Sequence, residues 1–265
     1  MNQAKSNPWT GPDAFVPCTM PIQHLSLPAE HEIHLWYLHL GVLGGALKSA
    51  LSGDAHSQAD TTDVVRLNIE QLRFSRNFYV RVLLGAYLDL PGKDVAIGRS
   101  RRGKPELDKA RHDTQLKFST AKSEDRLLLG VATTEQLGVD LEPSSRKAKN
   151  ALGLAERYFS PAEFLALREV DPERTDEAFL RAWALNEAVV KASGLGIANQ
   201  LCRFTLDMDP DAEPSMLDIE DDTAANWSLS LVRPSQDFIG AVASRQVPMN
   251  VSCFQLLPAV GPAIL

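Results

Sequence analysis

Two short segments constrain this chain more than any other feature of its sequence. They are residues 138–142, which read GVDLE, and residues 183–191, which read WALNEAVVK. The first is typical of a β-strand, in which side chains two positions apart share a face, so Asp140 and Glu142 project together. The second is typical of an α-helix. If the strand and the helix meet, the two acids face the helix.

The polar side chains of the helix are predicted to lie on one stripe. Trp183, Glu187 and Lys191 are spaced four residues apart and therefore stack along one face. Together with the strand acids they would bring three carboxylates and one ammonium into one place. Carboxylate oxygens suit a hard cation such as Mg²⁺, which shares its coordination shell with water and substrate phosphates. The lysine can neutralise those phosphates, so the pattern predicts a site that handles phosphoryl groups.

Each segment also has a simpler interpretation. Two acids in a D-x-E strand end are usually solvated, and E-x-x-x-K on a helix is usually a surface ion pair. Trp183 shares the stripe with Glu187 and Lys191, which argues against a fully solvated face. The two segments together therefore favour the functional interpretation.

Composition and charge bound the class of protein. The chain has 265 residues, 44% hydrophobic and 23% charged, which is typical of a soluble globular protein with a sizeable core. No apolar run approaches the length of a membrane span, and the N-terminus lacks the pattern of a signal peptide. Three widely spaced cysteines favour a reducing compartment. We expect a cytoplasmic monomer that acts without a membrane.

One basic segment contrasts with a net charge of −7, which argues against a nucleic-acid-binding protein. Residues 99–111 contain six basic side chains against two acids. Such a loop suits a small polyanion, although a solvated surface loop is an equal alternative. The basic residues are Arg99, Arg101, Arg102, Lys104, Lys109 and Arg111.

Taken in order, the motifs resemble the 4′-phosphopantetheinyl transferase superfamily, and in particular its larger, surfactin-synthetase-activating (Sfp-type) class. The resemblance runs from about residue 30 to about residue 245. Besides GVDLE and W-x-x-x-E-A-x-x-K, it rests on Gly103-Lys104-Pro105, on ERYFSPAE at residues 156–163, on the turn Gly194-Leu195-Gly196, and on residues 227–229 and 238–243, which resemble a closing hairpin.

The resemblance implies an α+β fold in which two similar helix-plus-three-strand halves pack as an intramolecular pseudo-dimer. We accordingly expect an irregular N-terminal arm at residues 1–29, an N-terminal half at 30–136 and a C-terminal half at 137–265 that carries the metal ligands. The sequence itself shows no internal repeat. A capping box at residues 160–163 (SPAE) independently predicts the start of a helix.

The activity implied is transfer of 4′-phosphopantetheine from coenzyme A to a serine of an apo acyl or peptidyl carrier protein, with release of 3′,5′-ADP. Asp140, Glu142 and Glu187 match the family's ligands for Mg²⁺, with Mn²⁺ as an alternative metal. Glu187, or a water that it holds, would accept the serine proton. Lys191 matches a lysine that contacts coenzyme A phosphates. The Sfp-type resemblance also suggests a role in secondary metabolite biosynthesis.

The coenzyme A contacts are expected mainly in the N-terminal half. Gly103, Lys104 and Pro105 match the loop along the adenine and the 3′-phosphate. Arg73 is a candidate for the family's phosphate-binding arginine, with Arg76 as the alternative.

Two stretches depart from the family pattern. Where the family carries F-N-x-S-H-S, residues 118–123 read FSTAKS. Lys122 replaces the histidine that meets the 3′-phosphate and keeps a positive charge. Ser119 replaces the asparagine, and Ala121 removes a hydroxyl whose hydrogen bond to a charged acceptor is worth about 1.5–3 kcal/mol. Asn186 replaces a lysine, and we expect it to remove a charge from the edge of the active stripe.

Three functions therefore compete. The first is an active carrier-protein-modifying transferase, and the second is a weak or inactive homologue that binds coenzyme A or a carrier protein. The substituted FSTAKS stretch favours the second, whereas the intact acids favour the first. The third, a metal-dependent nuclease, suits acids near a lysine but not the acidic net charge.

Overall fold

The computed structural model describes residues 9–52, 67–194 and 201–259. Runs of strands are separated by runs of helices along these ranges, and the predicted α+β class is confirmed. Within the described residues, no helix combines the length and apolar character that crossing a membrane requires.

Five helices and thirteen strands make up the regular structure of the described residues. The helices are α1 (Leu40–Ser52), α2 (Ile69–Leu88), α3 (Ala151–Tyr158), α4 (Pro161–Glu169) and α5 (Thr175–Ser193). The strands are β1 (Trp9–Thr10), β2 (Val16–Thr19), β3 (Glu32–His39), β4 (Ile97–Arg99), β5 (Pro105–Leu107), β6 (Lys117–Ser123), β7 (Arg126–Ala132), β8 (Leu137–Pro143), β9 (Phe204–Leu206), β10 (Met216–Ile219), β11 (Ser228–Ser235), β12 (Phe238–Ser244) and β13 (Asn250–Leu257).

Two sheets dominate the fold, and each contains a set of three strands arranged in the same order. The first sheet has the order β2-β13-β3-β7-β6, and the second has the order β1-β11-β12-β8. In the first sheet, β3 pairs antiparallel with β7, and β7 pairs with β6. In the second sheet, β8 pairs antiparallel with β12, and β12 pairs with β11. In both sets of three, the strand that comes last in the chain lies between the other two. Helices α1 and α2, or α3 to α5, follow the earliest strand. The halves thus share a topology that the sequence does not reveal as a repeat.

The alternation of side chains on the strands assigns one face of each sheet to its helices and the other face to the opposite sheet. On β3, Trp36 and Leu38 belong to the core shared with α1 and α2. Leu35 and Tyr37 belong to a second core between the sheets. Leu137, Val139 and Leu141 of β8 lie in that same inter-sheet core. Period-two alternation therefore turns the acids of β8 toward α5.

Both ends of the described chain cross from one sheet to the other. Strand β1 lies parallel to β11 in the second sheet, with Trp9 opposite Leu231. Strand β13 lies parallel to β3 in the first sheet, although it follows the strands of the second. Strand β2, within the arm predicted to be irregular, pairs with β13. The sequence pattern gave no sign of this exchange, and the boundary at residue 137 stays a prediction.

The capping box at the start of α4 is confirmed. The Ser160 hydroxyl accepts a hydrogen bond from the Glu163 backbone N–H at 3.2 Å, and a Glu163 carboxylate oxygen accepts one from the Ser160 N–H at 2.9 Å. Helix α5 ends at Gly194, whose φ of 66° lies in the left-handed region that favours glycine. The other residues of the predicted glycine-containing turn, Leu195 and Gly196, lie outside the described residues.

Candidate active site

Strand β8 and helix α5 are in direct backbone contact at Gly138. A Cβ at this position would overlap the carbonyl oxygen of Ala188 and crowd the backbone nitrogen of Ala192. Only glycine permits so close an approach of strand and helix. The glycine of GVDLE therefore sets the distance at which the acids that follow it meet α5.

The predicted meeting of strand acids and helix lysine is present in the structure. The Lys191 ammonium donates a hydrogen bond to Asp140 Oδ1 at 2.6 Å. The Asp140 side chain is only 8% exposed, and its Oδ2 is buried without a hydrogen-bond partner. An unpartnered buried carboxylate oxygen is costly, so this atom points to a site where another group can bind.

The second strand acid, Glu142, pairs with a cation that the sequence reasoning did not single out. Its carboxylate accepts a hydrogen bond from Arg146, four residues further along the chain. The Arg146 guanidinium also lies 5.5 Å from the centre of the Trp183 ring. Burial raises the pKa of Glu142, and the charge of Asp140 adds to this, whereas Arg146 acts in the opposite direction.

Glu187 lies among these charges. Burial raises its pKa, and the charge of Asp140 raises it further, whereas the charge of Lys191 lowers it. The charge of Glu142 also raises the pKa of Glu187, and the charge of Arg146 also lowers it. A glutamate with a raised pKa is a better proton acceptor near neutral pH than an exposed one. The structure thus brings together the four side chains that the two sequence segments predicted.

Three carboxylates, those of Asp140, Glu142 and Glu187, make up the donor set that a metal ion would meet here. Among the residues that the structure describes, no group of three or more His, Cys, Asp and Glu side chains is arranged to hold one. Lys191 and Arg146 instead engage Asp140 and Glu142. The chemistry of the donors fits a hard divalent cation, since all three are carboxylates and Asp140 has a free buried oxygen. The metal role of Asp140, Glu142 and Glu187 stays a prediction.

Trp183 anchors one end of the stripe. Its ring lies 6.1 Å from that of Tyr158, 6.2 Å from Phe159 and 5.7 Å from Phe179, measured between centroids. This aromatic cluster packs α5 against α3. The stripe is therefore not a solvated helix face, as the position of the tryptophan indicated.

Lys104, expected on the coenzyme A loop, is held by backbone carbonyls. Its ammonium donates to the carbonyl oxygen of Leu137 at 2.8 Å and to that of Lys191 at 2.7 Å. Burial lowers its pKa to about 8, and Glu106 opposes this effect. Its neighbour Gly103 has a φ of 88°, which suits the tight turn between β4 and β5. The loop that contains Lys104 and Pro105 is thus fastened to the end of α5.

Arg76 of α2 lies within electrostatic range of Arg73 on the same helix and of Arg99 at the end of β4. The pKa of Arg76 is lowered by burial and then by the positive charges of Arg73 and Arg99. Arg99 also donates to the carbonyl oxygen of Gly103 at 2.7 Å. Positive charges that act on one another in this way raise the local potential, which favours a bound anion. Arg73 and the basic loop, which were predicted separately, therefore belong to one positive region.

The FSTAKS strand contributes to the junction of the halves. Ser119 accepts a hydrogen bond from the backbone N–H of Val139 at 3.2 Å, which ties β6 to β8. Ala121 is buried in the core between the sheets. Lys122 is exposed, and its ammonium donates to the carbonyl oxygen of Glu124 at 2.7 Å. Its assignment to a phosphate stays a prediction.

Asn186 does not lie at the edge of the active stripe, and that expectation is wrong. It is fully buried and donates to Glu163 Oε1 at 3.1 Å and to the Ala182 carbonyl oxygen at 3.0 Å. The same Glu163 oxygen accepts from the Leu206 N–H at 3.2 Å. Burial raises the pKa of Glu163. The capping-box motif located Glu163, but its long-range contacts with α5 and β9 had no sequence signal.

Comparison with known proteins agrees with this geometry. The family model of the 4′-phosphopantetheinyl transferase superfamily matches residues 136–243, the segment that contains β8, α5 and β12. The chain is 31% identical over 233 residues to the 4′-phosphopantetheinyl transferase HetI of Nostoc sp.. The aligned region covers 84% of this chain and 94% of HetI.

Two more distant relatives share part of the chain. The L-aminoadipate-semialdehyde dehydrogenase-phosphopantetheinyl transferase of Homo sapiens is 27% identical over 138 residues, 49% of this chain and 45% of that protein. The 4′-phosphopantetheinyl transferase psf-1 of Bacillus pumilus is 26% identical over 137 residues, 52% of this chain and 56% of that protein. The match to nearly the whole of HetI, combined with the family match across β8 and α5, places the chain among the enzymes of the 4′-phosphopantetheinyl transferase superfamily.

Proposed function

We propose that this protein transfers the 4′-phosphopantetheine arm of coenzyme A to a serine of an apo acyl or peptidyl carrier protein and releases 3′,5′-ADP, in a reaction that requires Mg²⁺. The observation that carries the proposal is the convergence of Asp140, Glu187 and Lys191 where β8 crosses α5. This crossing lies inside the segment that matches the family.

The metal would be held by the carboxylates of Asp140, Glu142 and Glu187. When bound, Mg²⁺ or Mn²⁺ spreads the negative charge that develops on a pyrophosphate as its bond breaks. Lys191 and Arg146 pair with Asp140 and Glu142, and their positive charges offset part of the cost of burying the two acids.

Proton transfer is assigned to Glu187. The attacking serine must lose its proton, and Glu187, directly or through a water, is the acceptor. Burial and the charge of Asp140 raise the pKa of Glu187, so that its proton affinity comes closer to that needed at neutral pH. The carboxylate also has to be positioned relative to the strand acids, and the contact of α5 with Gly138 sets the distance of that helix from β8.

Phosphate binding is assigned to cations from both halves. Lys191 lies beside Asp140 and would steady the departing phosphate by charge neutralisation. Arg73, Arg76 and Arg99 form the positive region proposed for the nucleotide phosphates, with the loop of Gly103, Lys104 and Pro105 beside it. Lys122 is proposed to meet the 3′-phosphate. The proposed coenzyme A contacts thus come from α2, from the loop between β4 and β5, from β6 and from α5.

Several broader assignments complete the proposal. We infer a cytoplasmic, monomeric enzyme of the Sfp-type class that serves secondary metabolism, with halves divided near residue 137. Similarity to psf-1 over about half of the chain supports the class. The carrier protein is the second substrate, and its pathway is open.

Intact mass spectrometry tests the activity. An apo carrier protein is mixed with this protein, coenzyme A and Mg²⁺, and a mass gain of one phosphopantetheine arm is expected. The matched control omits Mg²⁺ and adds a chelator, which should abolish the gain. No gain with fatty-acid, polyketide and peptide carriers, while coenzyme A still binds, would favour the weak or inactive homologue instead.

A further inference from the structure

Lys104 belongs to the N-terminal half, but its ammonium donates hydrogen bonds to backbone atoms of the C-terminal half. Lys104 follows the turn between β4 and β5, whereas its two acceptors, the carbonyl oxygens of Leu137 and Lys191, belong to β8 and α5. A buried ammonium needs such acceptors, because an unsolvated charge is costly. The two contacts therefore hold the lysine and, through it, the strand and the helix.

The positions of the two acceptors give this contact its significance. Leu137 is the first residue of β8 and directly precedes Gly138, where the strand touches the helix. The Lys191 carbonyl lies in the last turn of α5, where the helix dipole is negative and a cation is stabilising. Lys104 thus fastens the same strand–helix contact that Gly138 permits.

The side chain of Lys191 links this contact to the acids. The backbone carbonyl of Lys191 accepts from Lys104, while its side-chain ammonium donates to Asp140. A shift of the last turn of α5 along β8 would therefore separate Lys191 from Asp140. It would also displace Glu187, which lies one turn before Lys191 on the same helix. Displacements of about 1 Å are enough to cost a catalytic site roughly a hundredfold in rate.

We propose that Lys104 is a positioning residue for the transfer reaction, which holds α5 in register with β8 so that Glu187 and Lys191 meet the strand acids. The proposal rests on the proposed function. In this role the loop can still lie along coenzyme A, but the Lys104 ammonium is not a phosphate ligand, because two of its three N–H donors are engaged by carbonyl oxygens.

A kinetic comparison separates the two roles. Lys104→Met removes the ammonium and keeps much of the side-chain volume, and Lys93→Met is the control, since Lys93 is exposed in a short turn after α2. Positioning predicts that Lys104→Met lowers kcat about 30-fold with KM for coenzyme A within about 3-fold. The factor should be the same for 3′-dephospho-coenzyme A. A defect in KM that disappears with 3′-dephospho-coenzyme A would make Lys104 a phosphate ligand, and unchanged kinetics would also overturn the proposal.

Hydrogen exchange tests the contact without any substrate. Amides of residues 137–139 and 188–193 are expected to exchange about tenfold faster in Lys104→Met than in Lys93→Met. If the wild-type protein transfers nothing to any carrier, the proposed function fails, but the exchange data still decide whether Lys104 holds α5 on β8. Equal exchange in the two variants would overturn that contact.

A second variant covers the case in which Lys104→Met does not fold. Lys104→Arg keeps the charge and the donors on a longer side chain, so it should fold and lose kcat by about threefold to tenfold, equally for coenzyme A and 3′-dephospho-coenzyme A. A loss confined to coenzyme A in this variant would contradict the positioning role.

Discussion

The two halves of the molecule build the same strand order and cover it with helices, but they place opposite chemistry between sheet and helix. In the N-terminal half, β3 presents Trp36 and Leu38 to α1 and α2. In the C-terminal half, β8 presents Asp140 and Glu142 to α5. The comparison shows that one architecture holds either an apolar core or a buried cluster of charges, according to the side chains at the helix-facing positions of its first strand.

The difference has an energetic side. Burial of Trp36 and Leu38 stabilises the N-terminal half by about 1.5–3 kcal/mol per side chain. Buried acids do the reverse unless cations accompany them, and a buried ion pair often contributes less than an apolar pair of the same volume. Lys191 and Arg146 compensate the acids of β8. The C-terminal half is therefore stabilised less by these positions, and it keeps charge where the transfer reaction is proposed to occur.

The largest effect is expected from making the C-terminal half resemble the N-terminal one. Asp140→Leu combined with Lys191→Met should lower transfer at least about 10⁴-fold, because the proposed metal ligand and the proposed phosphate-binding cation are lost together. The folded state should be as stable as wild type or more stable by about 1–4 kcal/mol, measured by urea unfolding. Asp140→Leu alone is the control and should be destabilising, since it leaves Lys191 without its partner. Equal stability of the single and double variants would break the comparison.

Glu187→Gln is expected to have the next largest effect. The amide cannot accept the serine proton and is a weaker metal ligand, so kcat should fall about 10³-fold, as followed by mass gain of the carrier. Removal of a buried carboxylate beside Asp140 should leave the melting temperature unchanged or raised. Turnover near that of wild type would remove Glu187 from the mechanism.

Gly138→Ala tests the close contact of β8 with α5, which brings the strand acids next to Glu187 and Lys191. The added Cβ must push α5 away from β8, since its neighbours are helix backbone atoms. We expect a loss of about 2–4 kcal/mol in the free energy of unfolding and at least tenfold in kcat. Gly98→Ala is the matched control, because a Cβ there meets nothing within 4 Å. If both variants unfold alike, the close approach is not what positions the site.

Lys122→Ala sharpens the comparison from the other half, which is assigned binding rather than chemistry. The apparent KM for coenzyme A should rise about tenfold, a change of about 1.4 kcal/mol, while kcat stays within about twofold. The KM for 3′-dephospho-coenzyme A should not change. An equal defect with both substrates would show that Lys122 does not meet the 3′-phosphate.

The smallest effect concerns pH. The pKa values of Glu142 and Glu187 are raised in the folded protein, mainly by burial, from an ordinary value of 4.5. The folded state therefore binds their protons more tightly than the unfolded state does. Their contribution to stability is fully present below the ordinary value and is lost as pH rises through the folded pKa values. Denaturation of the metal-free protein should show this loss, and Glu187→Gln should reduce it; an identical pH dependence of the two proteins would contradict the shift.

Much of the site could be predicted from sequence because it depends on local periodicity. Spacings of two and four residues placed Asp140 with Glu142 and Glu187 with Lys191, and the structure keeps both pairs on facing elements. The same reasoning failed for Asn186. A step of one residue turns a helix by about 100°, which directs this side chain to Glu163 instead of the stripe.

Features that depend on distant backbone atoms left no trace in the sequence. The acceptors of Lys104 are carbonyl oxygens of Leu137 and Lys191, and every residue carries such an oxygen, so residue types cannot indicate them. The crossing of β1 and β13 between the sheets likewise depends on pairing between residues more than 200 positions apart, such as Leu256 with Leu38. Hydrophobic alternation predicts a strand but not its partner.

If β8 and α5 form one metal-dependent transfer site in the C-terminal half, as proposed, a divalent metal ion must bind to the carboxylates that lie between them. Calorimetric titration with Mn²⁺ in the presence of coenzyme A should give one site per chain in the wild-type protein. Asp140→Asn and Glu142→Gln should each weaken that site at least about 30-fold. Glu70→Gln, which alters an exposed acid on α2, should leave it unchanged. Metal affinity that is the same in all four proteins would contradict the account.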